Sequence, residues 1–209
     1  WAFIPGYLQA KRGSHVVITT IMFNFLASSL MVYLLAGPLI QLGQQSPQSD
    51  LIPESAQLAS FETFFRLFGI DITSSPLNLS FLLALFALFV FWVLIWKTRL
   101  GYEIRAVGKN QDAANYAGIN VPRIIIITMT ISGAFAGLLA VNEVMGVQHR
   151  AILNFTAGYG FTGIAVALMG RNHPVGIFFA SLLFGALFQG GAELDFEFQS
   201  ITRDMVLLI

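Results

Sequence analysis

The sequence has no cysteine and few charged residues. Of its 209 residues only 11% are Asp, Glu, Lys or Arg, whereas about 25% is usual for a soluble domain. Without cysteine the chain can form no disulfide framework, thiolate metal site or cysteine nucleophile. Its eleven basic and eleven acidic side chains cancel in number, so net charge gives no reason to expect a nucleic acid as a partner.

Familiar catalytic motifs are also missing. The three histidines are far apart, and neither His-Glu-x-x-His nor Gly-x-Ser-x-Gly occurs. The pair Gly108-Lys109 suggests a phosphate-binding loop, but that loop needs Gly where Glu103 stands and Ser or Thr where Asn110 stands. We therefore predict that the chain is not an enzyme, has no catalytic residue, holds no metal and binds no ATP itself.

Long apolar runs dominate what is present: hydrophobic residues make up 56% of the chain, and the mean hydropathy is +0.74. A helix needs about 20 apolar residues to cross about 30 Å of hydrocarbon. The runs Val16 to Gly37 and Leu77 to Trp96 meet this need, and Ile124 to Val141 barely does. Phe161 to Gly170 and Val175 to Gln189 are shorter and rich in Gly and Ala. We predict an all-α, polytopic integral membrane helical bundle in which these last two helices are short, broken or buried in protein.

Charges are sorted between the segments that connect these runs. The stretch 97–123 is basic, so the positive-inside rule places it in the cytoplasm. Alternation then places loop 39–76, with a short amphipathic helix near Ser60 to Phe68, outside the membrane. Nine of the eleven acids fall outside as well. Eight of the eleven basic residues fall inside: Lys11, Arg12, Lys97, Arg99, Arg105, Lys109, Arg123 and Arg171.

The segment 97–123 carries signals for a short helix. Asn110 can cap a helix that runs through Ala113 and Ala114, Gly118 can end it in a left-handed conformation, and Pro122 can open the next span at its first turn. Small residues on such a helix would let another protein approach closely. A plain connecting loop is the alternative.

Three blocks of the sequence resemble a known family. The run GYEIRAVGKNQDAANYAGINVPR, at 101–123, looks like the cytoplasmic coupling segment of bacterial ABC-importer permeases of the ribose and branched-chain amino acid transporter superfamily. The runs VITTIMFN, at 17–24, and GYGFTGIAVALMGRNHP, at 158–174, resemble the nucleoside and simple-sugar branch. Thr162, where many relatives carry Asp, and Val16, where an acid is common, depart from the pattern and leave the ligand open.

The resemblance implies a permease of the bacterial inner membrane that moves nucleosides or simple sugars by alternating access. Its partners would be a second permease subunit, cytoplasmic ABC ATPase subunits that bind ATP and Mg²⁺, and a periplasmic or lipid-anchored substrate-binding protein. Residues 103–118 would dock in the ATPase. The expected docking residues are Glu103, Arg105, Gly108, Asn110, Ala113, Ala114 and Gly118.

These implications define the domain organisation that we expect. Residues 1–209 would form a single transmembrane permease domain, with 39–76 as a periplasmic loop and 97–123 as the coupling segment. The chain begins at Trp1 inside an apolar stretch and stops at Ile209 as another apolar run begins. We interpret it as a fragment of a longer permease, truncated at both ends.

Candidate substrate-path residues lie in two places. Thr20, Asn24 and Ser28 recur at four-residue spacing and therefore share one helical face, where they could line a path or bond to a neighbouring helix. In the glycine-rich block around Gly160, Phe161 and Thr162, backbone groups could face a hydroxyl-rich ligand, or the glycines could simply pack.

Glu143 ends the third predicted span. An ionisable residue near the membrane is a functional candidate, because placing it there is costly. It could contact a gate or a ligand, or it could lie in a solvated turn at the outer interface. Two alternative functions remain: a secondary transporter in which Glu143 carries a coupling proton, and a membrane scaffold that transports nothing.

Overall fold

The computed structural model describes residues 1–41, 43, 46–61, 77–156 and 158–197. Within these residues the regular structure is helical apart from two isolated β-bridges. Four helices are long and apolar enough to cross a membrane: Val16–Ala36, Ser80–Lys97, Val121–Val147 and Pro174–Leu194. The predicted all-α, polytopic membrane fold is thus confirmed, whereas the amphipathic helix expected near Ser60 to Phe68 lies largely outside the described residues.

The helices differ in length and type along the chain. In order they are α1 (Phe3–Arg12), α2 (Val16–Ala36), α3 (Ser80–Trp92), α4 (Arg99–Lys109), α5 (Gln111–Tyr116), α6 (Val121–Ala140), α7 (Tyr159–Met169) and α8 (Pro174–Glu197). Helices α3 and α6 continue as π-helical turns, Val93–Lys97 and Val141–Val147. The chain divides into two compact units, Trp1–Ala157 and Gly158–Ile209.

The third span is longer than its sequence indicated. It covers Val121–Val147, 27 residues, instead of the predicted 124–141. At its start the Asn120 side chain accepts a hydrogen bond from the Arg123 N–H at 3.2 Å, and Pro122 occupies the first turn. At its end the π-helical turn carries the helix past Glu143. An early cap and a late π-turn therefore supply the length that the apolar run alone lacks.

Small residues allow α1 to lie close against the third span. A Cβ atom added at Gly6 would lie 2.8 Å from the Met129 Cβ, and one added at Gly133 would lie 2.3 Å from the Ala2 Cβ. Both distances are shorter than side-chain contacts allow. Glycine at these positions is therefore required for the two helices to approach as they do.

In the second unit one helix is short and the other is long. Helix α7 has 11 residues and rises about 17 Å, about half of the hydrocarbon thickness, so the predicted short helix is confirmed. The prediction of a short or broken helix at 175–189 is wrong, because α8 runs from Pro174 to Glu197. Glycine costs a helix only about 1 kcal/mol, and Gln189 donates to Glu193 at 3.2 Å across one turn. The polar and glycine residues therefore do not end the helix.

Residues 49–52 of the predicted outer loop pair with residues that follow the third span. The Ile52 N–H donates to the His149 carbonyl at 2.8 Å, and the Ser49 N–H donates to the Ala151 carbonyl at 3.0 Å. The predicted topology placed both segments outside the membrane, and their backbone pairing agrees with a common side.

Candidate functional site

The predicted coupling segment, residues 97–123, contains two helices. We predicted only the second. Helix α4 begins at Thr98, whose hydroxyl accepts from the Gly101 N–H at 3.1 Å and donates to the Leu94 carbonyl at 2.6 Å. A Cβ atom at Gly101 would lie 2.2 Å from that carbonyl oxygen. Only glycine fits there, so α4 folds back tightly on the end of the second span.

A sequence signal for α4 was available. Leu100, Ile104 and Val107 recur at helical spacing directly after the Thr98 cap. The half-buried Leu100 and Ile104 pack against a core that includes Val107. The basic residues between them favoured reading this stretch as a loop, although charged residues are ordinary on the outer face of an amphipathic helix.

The local predictions for the second helix are confirmed. The Asn110 Oδ1 accepts from the Ala113 N–H at 3.0 Å and so caps α5. Gly118 has a φ of 81°, in the left-handed region that glycine tolerates. Pro122 lies in the first turn of α6. Helix α5 is therefore a separate, capped turn and a half between two longer helices.

Ala114 faces the interior of the chain. It is 3% exposed and packs in a buried cluster with Val107, Val121 and Ile124. This corrects the expectation that its side chain meets the ATPase, because the cluster already covers it. Ala114 joins α5 to α4 and to the start of the third span.

The other expected docking residues divide into two groups. Four are exposed on the surface of the segment: Gly108, Asn110, Ala113 and Gly118. Glu103 instead pairs with Arg99, whose Nε lies 3.0 Å from the Glu103 Oε1. Arg105 lies over the Trp96 ring, with its Cζ 5.9 Å from the ring centroid. The surface of α5 is therefore better placed for a protein partner than the side chains of α4 that bind their own chain.

An exposed tyrosine lies at the end of α5. Tyr116, the last residue of α5, is 96% exposed. Tyrosine is enriched among the residues that dominate binding energy at protein interfaces. A single aromatic residue carries no periodic signal, so the sequence does not single out Tyr116. We refer to Gly108, Asn110, Ala113, Tyr116 and Gly118 as the α5 surface.

The candidate path residues on α2 are only partly available. The Thr20 hydroxyl donates to the Val16 carbonyl at 2.9 Å within the helix. Asn24 and Ser28 are exposed. Among the described residues none forms a hydrogen bond with the Asn24 side chain, and its neighbour Phe25 is 71% exposed. An amide in hydrocarbon needs partners, so Asn24 requires a contact from outside the described residues.

The second candidate group lies on α7, in the second unit. Gly160 has open space where a Cβ atom would stand. Phe161 is 82% exposed, and Thr162 is half-buried. Helix α7 begins after Gly158, which has a φ of 80°. These residues form an accessible first turn, and the close packing that was their alternative role does not occur within the described residues around Gly160.

Glu143 is buried. It is 8% exposed and lies in the π-helical turn of the third span, where the Asn142 Nδ2 donates to its Oε1 at 3.2 Å. The interpretation as a solvated turn is therefore wrong. The extension of the helix past Val141 and the contact with Asn142 keep the carboxyl group away from water.

A polar cluster surrounds Glu143 and joins the second and third spans. The Asn78 Nδ2 donates to the Gly146 carbonyl at 3.0 Å, and the Asn78 Oδ1 accepts from the Ser80 N–H at 3.0 Å. The Ser80 hydroxyl also contacts the Asn142 Oδ1 at 2.5 Å. Asn78 and Ser80 thus begin the second span and bind the π-turn of the third. Asn78 and Ser80, two polar residues at the start of an apolar run, were the signal that could have indicated polar contacts at this end of the span.

Metal ligands do not converge in the part of the chain that is described: no group of three His, Asp or Glu side chains there could hold an ion. Glu103 and Glu143 belong to the contacts given above. The geometry of the described residues is that of polar side chains that fix helices against one another and leave accessible surfaces on α2, on α5 and on the first turn of α7.

Comparison with known proteins relates the whole chain to transport permeases. Residues 1–209 match the family described as branched-chain amino acid transport system / permease component. The chain is 40% identical over 199 residues to the guanosine ABC transporter permease protein NupP of Bacillus subtilis, covering 94% of this chain and 55% of the relative.

Two further relatives show the same pattern. Over 192 residues the chain is 40% identical to the nucleoside ABC transporter permease protein NupB of Lactococcus lactis, covering 90% of this chain and 51% of the relative. Over 204 residues it is 37% identical to a glucose ABC transporter permease protein of Haloferax volcanii, covering 95% and 52%.

Each match covers nearly all of this chain but a smaller share of the relative. The chain spans about half the length of the relatives it matches. No solved structure matches it. Because the family match covers every residue of the chain and agrees with its four apolar spans, this multi-pass membrane protein belongs to the family of branched-chain amino acid transport system permease components.

Proposed function

We propose that this chain is part of the transmembrane permease subunit of an ATP-binding-cassette importer that moves nucleosides or simple sugars. The observation that carries the proposal is the coupling segment, a two-helix unit with its own buried core and an accessible α5 surface between two spans. The relatives named as guanosine, nucleoside and glucose permeases support the substrate class.

The core of the coupling segment suggests how it would transmit force. Ala114 on α5 packs with Val121 and Ile124, which lie in the first turns of the third span. Packed interiors resist compression, so a displacement of α5 moves the third span with it. At the other end, Gly101 holds α4 against the carbonyls of the second span. Closure of an ATPase pair bound at the α5 surface would therefore move both spans as a rigid body.

The remaining parts of the proposed importer lie in other chains. ATP and Mg²⁺ would bind to the cytoplasmic ATPase subunits, and hydrolysis would occur there. A second permease subunit would complete the path, and a periplasmic or lipid-anchored protein would deliver the substrate. The location that fits these partners is the bacterial inner membrane.

Polar groups that lack partners in the described chain are the proposed contacts for substrate, and each unit is considered by itself. In the first unit, Asn24 and Ser28 on α2 offer an amide and a hydroxyl at one helical face. In the second unit, Thr162 on α7 offers a hydroxyl and Phe161 an exposed ring on which a base could stack. Nucleosides and sugars both present several hydroxyl groups, which such side chains bind.

Transport by the intact permease tests the proposal. The permease that contains this chain is reconstituted in proteoliposomes with its second permease subunit, its ATPase and its substrate-binding protein, and uptake of labelled guanosine, ribose and glucose is measured with and without ATP. We expect uptake of at least one of them that needs ATP and is blocked by vanadate. Absence of ATP-dependent uptake for all three, with ATPase bound and active, contradicts the proposal.

The burial of Glu143 favours one competing function, a proton-coupled carrier, because a carboxyl group inside a membrane helix is a common proton site. An uncoupler distinguishes the two. Uptake that collapses when the proton gradient is removed at constant ATP indicates a carrier. Uptake that persists indicates an ATP-driven importer, and a membrane scaffold shows uptake under neither condition.

A further inference from the structure

Two tryptophans at the end of the second span each hold a cation against their ring. The Lys97 Nζ lies 5.3 Å from the centroid of the Trp92 ring, and the Arg105 Cζ lies 5.9 Å from that of Trp96. These distances are within the range of attractive cation–π contacts. Lys97 and Arg105 come from different helices, so their positions depend on the way α4 folds back over the π-turn.

Both cations keep their charge available for a ligand. Within the described residues the ion pair of the coupling segment joins Arg99 to Glu103. No carboxylate in that part of the chain lies within 4.0 Å of Lys97 or Arg105, and both side chains are exposed. A cation that is ordered by a ring and has no acidic partner is ready to bind an anion.

The position of the pair indicates which anion. Lys97 is the last residue of an apolar helix of 18 residues, Ser80–Lys97. Tryptophan and lysine at the end of a span lie at the level of the lipid headgroups. Above them on α3, Phe86 is 62% and Phe89 is 58% exposed, which leaves an apolar surface for acyl chains. The two cations thus match the phosphate oxygens of a lipid headgroup, and the exposed phenylalanines of α3 match its acyl chains.

We propose that Lys97, Arg105, Trp92 and Trp96 form a binding site for the phosphate group of an anionic phospholipid in the cytoplasmic leaflet. The guanidinium and ammonium groups donate to the phosphate oxygens, and the indole rings hold the two cations at headgroup level. This assigns Arg105 to lipid instead of to the ATPase. The site rests on the membrane position of the second span and does not require the chain to transport anything.

Retained lipid is the direct readout. The intact permease with its ATPase is purified from nanodiscs that contain equal amounts of phosphatidylglycerol and phosphatidylcholine, and native mass spectrometry counts the lipids that stay bound. The variant pair K97Q/R105Q is compared with K109Q/R123Q. The control pair removes the same charge from exposed positions of the same segment, where neither cation lies over a ring of the described residues.

We expect K97Q/R105Q to weaken phosphatidylglycerol retention about thirtyfold more than the control pair, since two cations near the surface contribute about one kcal/mol each and about 1.4 kcal/mol is a factor of ten. Phosphatidylcholine retention and ATPase association stay unchanged. Equal loss in both pairs overturns the proposal, because it shows only a general effect of charge. Loss of ATPase with lipid retained also overturns it and returns Arg105 to the docking surface.

A second variant covers the case in which the double substitution fails to fold. W96L removes the ring under Arg105 and keeps every charge. It should lower phosphatidylglycerol retention several-fold, and unchanged retention in W96L contradicts the site. Because lipid is counted without substrate or ATP turnover, a failure of the transport proposal leaves this test intact.

Discussion

The coupling segment and α2 are opposite kinds of helical structure in the same unit. In the coupling segment, caps and a core come from the chain itself: Ala114 is 3% and Val107 is 6% exposed. In α2, Leu35 is the one buried residue of 21, and the Asn24 amide has no partner among the described residues. The first has its core and caps within the described residues, whereas the side chains of the second need contacts from outside them. A change should therefore affect folding in one and function in the other.

The largest effect is expected at Ala114. Ala114→Arg places an unpaired charge in the segment core and should cost more than about 4 kcal/mol of local stability. The measurement is limited chymotrypsin cleavage between residues 97 and 123, where neither variant adds a cleavage site, and it should become at least tenfold faster. Ala113→Arg, one residue away and exposed, is the matched control: it should keep the wild-type cleavage rate and lose ATPase association. Equal cleavage of the two variants would show that Ala114 is not in a core.

A half-buried amide should matter for stability. Asn142→Leu removes the donor to the buried Glu143 carboxyl group and one contact of the Ser80 hydroxyl, and the unsatisfied carboxyl group should cost about 1 to 3 kcal/mol. Thermal unfolding of the detergent-purified permease should shift down by several degrees. If the midpoint of Asn142→Leu equals that of the wild type, the polar cluster does not hold the two spans together.

An exposed amide should matter for transport. Asn24→Leu removes no hydrogen bond within the described chain, so the free energy of unfolding should stay within about 0.5 kcal/mol of the wild-type value. Uptake should fall about tenfold, as expected for the loss of one hydrogen bond to a ligand. Val17→Leu, an exposed apolar position on the same helix, should leave uptake unchanged. Full uptake by Asn24→Leu would remove that residue from the path.

The smallest effect is expected at the cap of α5. Asn110→Ala loses the hydrogen bond to the Ala113 N–H and should weaken α5 by about 1 kcal/mol. Hydrogen exchange of the α5 amides should rise about fivefold, while α4 keeps its protection. Asn110→Asp can still accept that bond and should restore slow exchange. If Asn110→Asp exchanges as fast as Asn110→Ala, capping is not what orders the helix.

Several features of the fold were predictable because their causes lie within a few residues. Asn110, Gly118 and Pro122 act on the backbone next to them, and the structure confirms the role of each. The first two spans were predictable because about 20 consecutive apolar residues have few other solutions. Helix α4 was missed although its spacing was visible, since a basic helix and a basic loop have similar composition.

Other features depend on which helix lies opposite, and local sequence does not specify this. Glu143 follows an apolar run like any residue at the end of a span. It is buried because a π-turn extends the helix and Asn142 brings it into the cluster with Ser80. The sequence around Arg105 suggested a residue that contacts another protein. In the structure the turn at Gly101 places Arg105 over the Trp96 ring of its own chain.

By itself the sequence determined that the chain lies in a membrane, where its first two spans are and where α5 begins and ends, because hydropathy and backbone hydrogen bonding are local properties. Only the tertiary structure decided that Ala114 faces inward and Ala113 outward. The two are adjacent and chemically identical, so their roles differ only through the positions of Val107 and Ile124 around the helix. Burial is a property of neighbours that are distant in sequence, and it separates the surface that can bind a partner from the core that supports it.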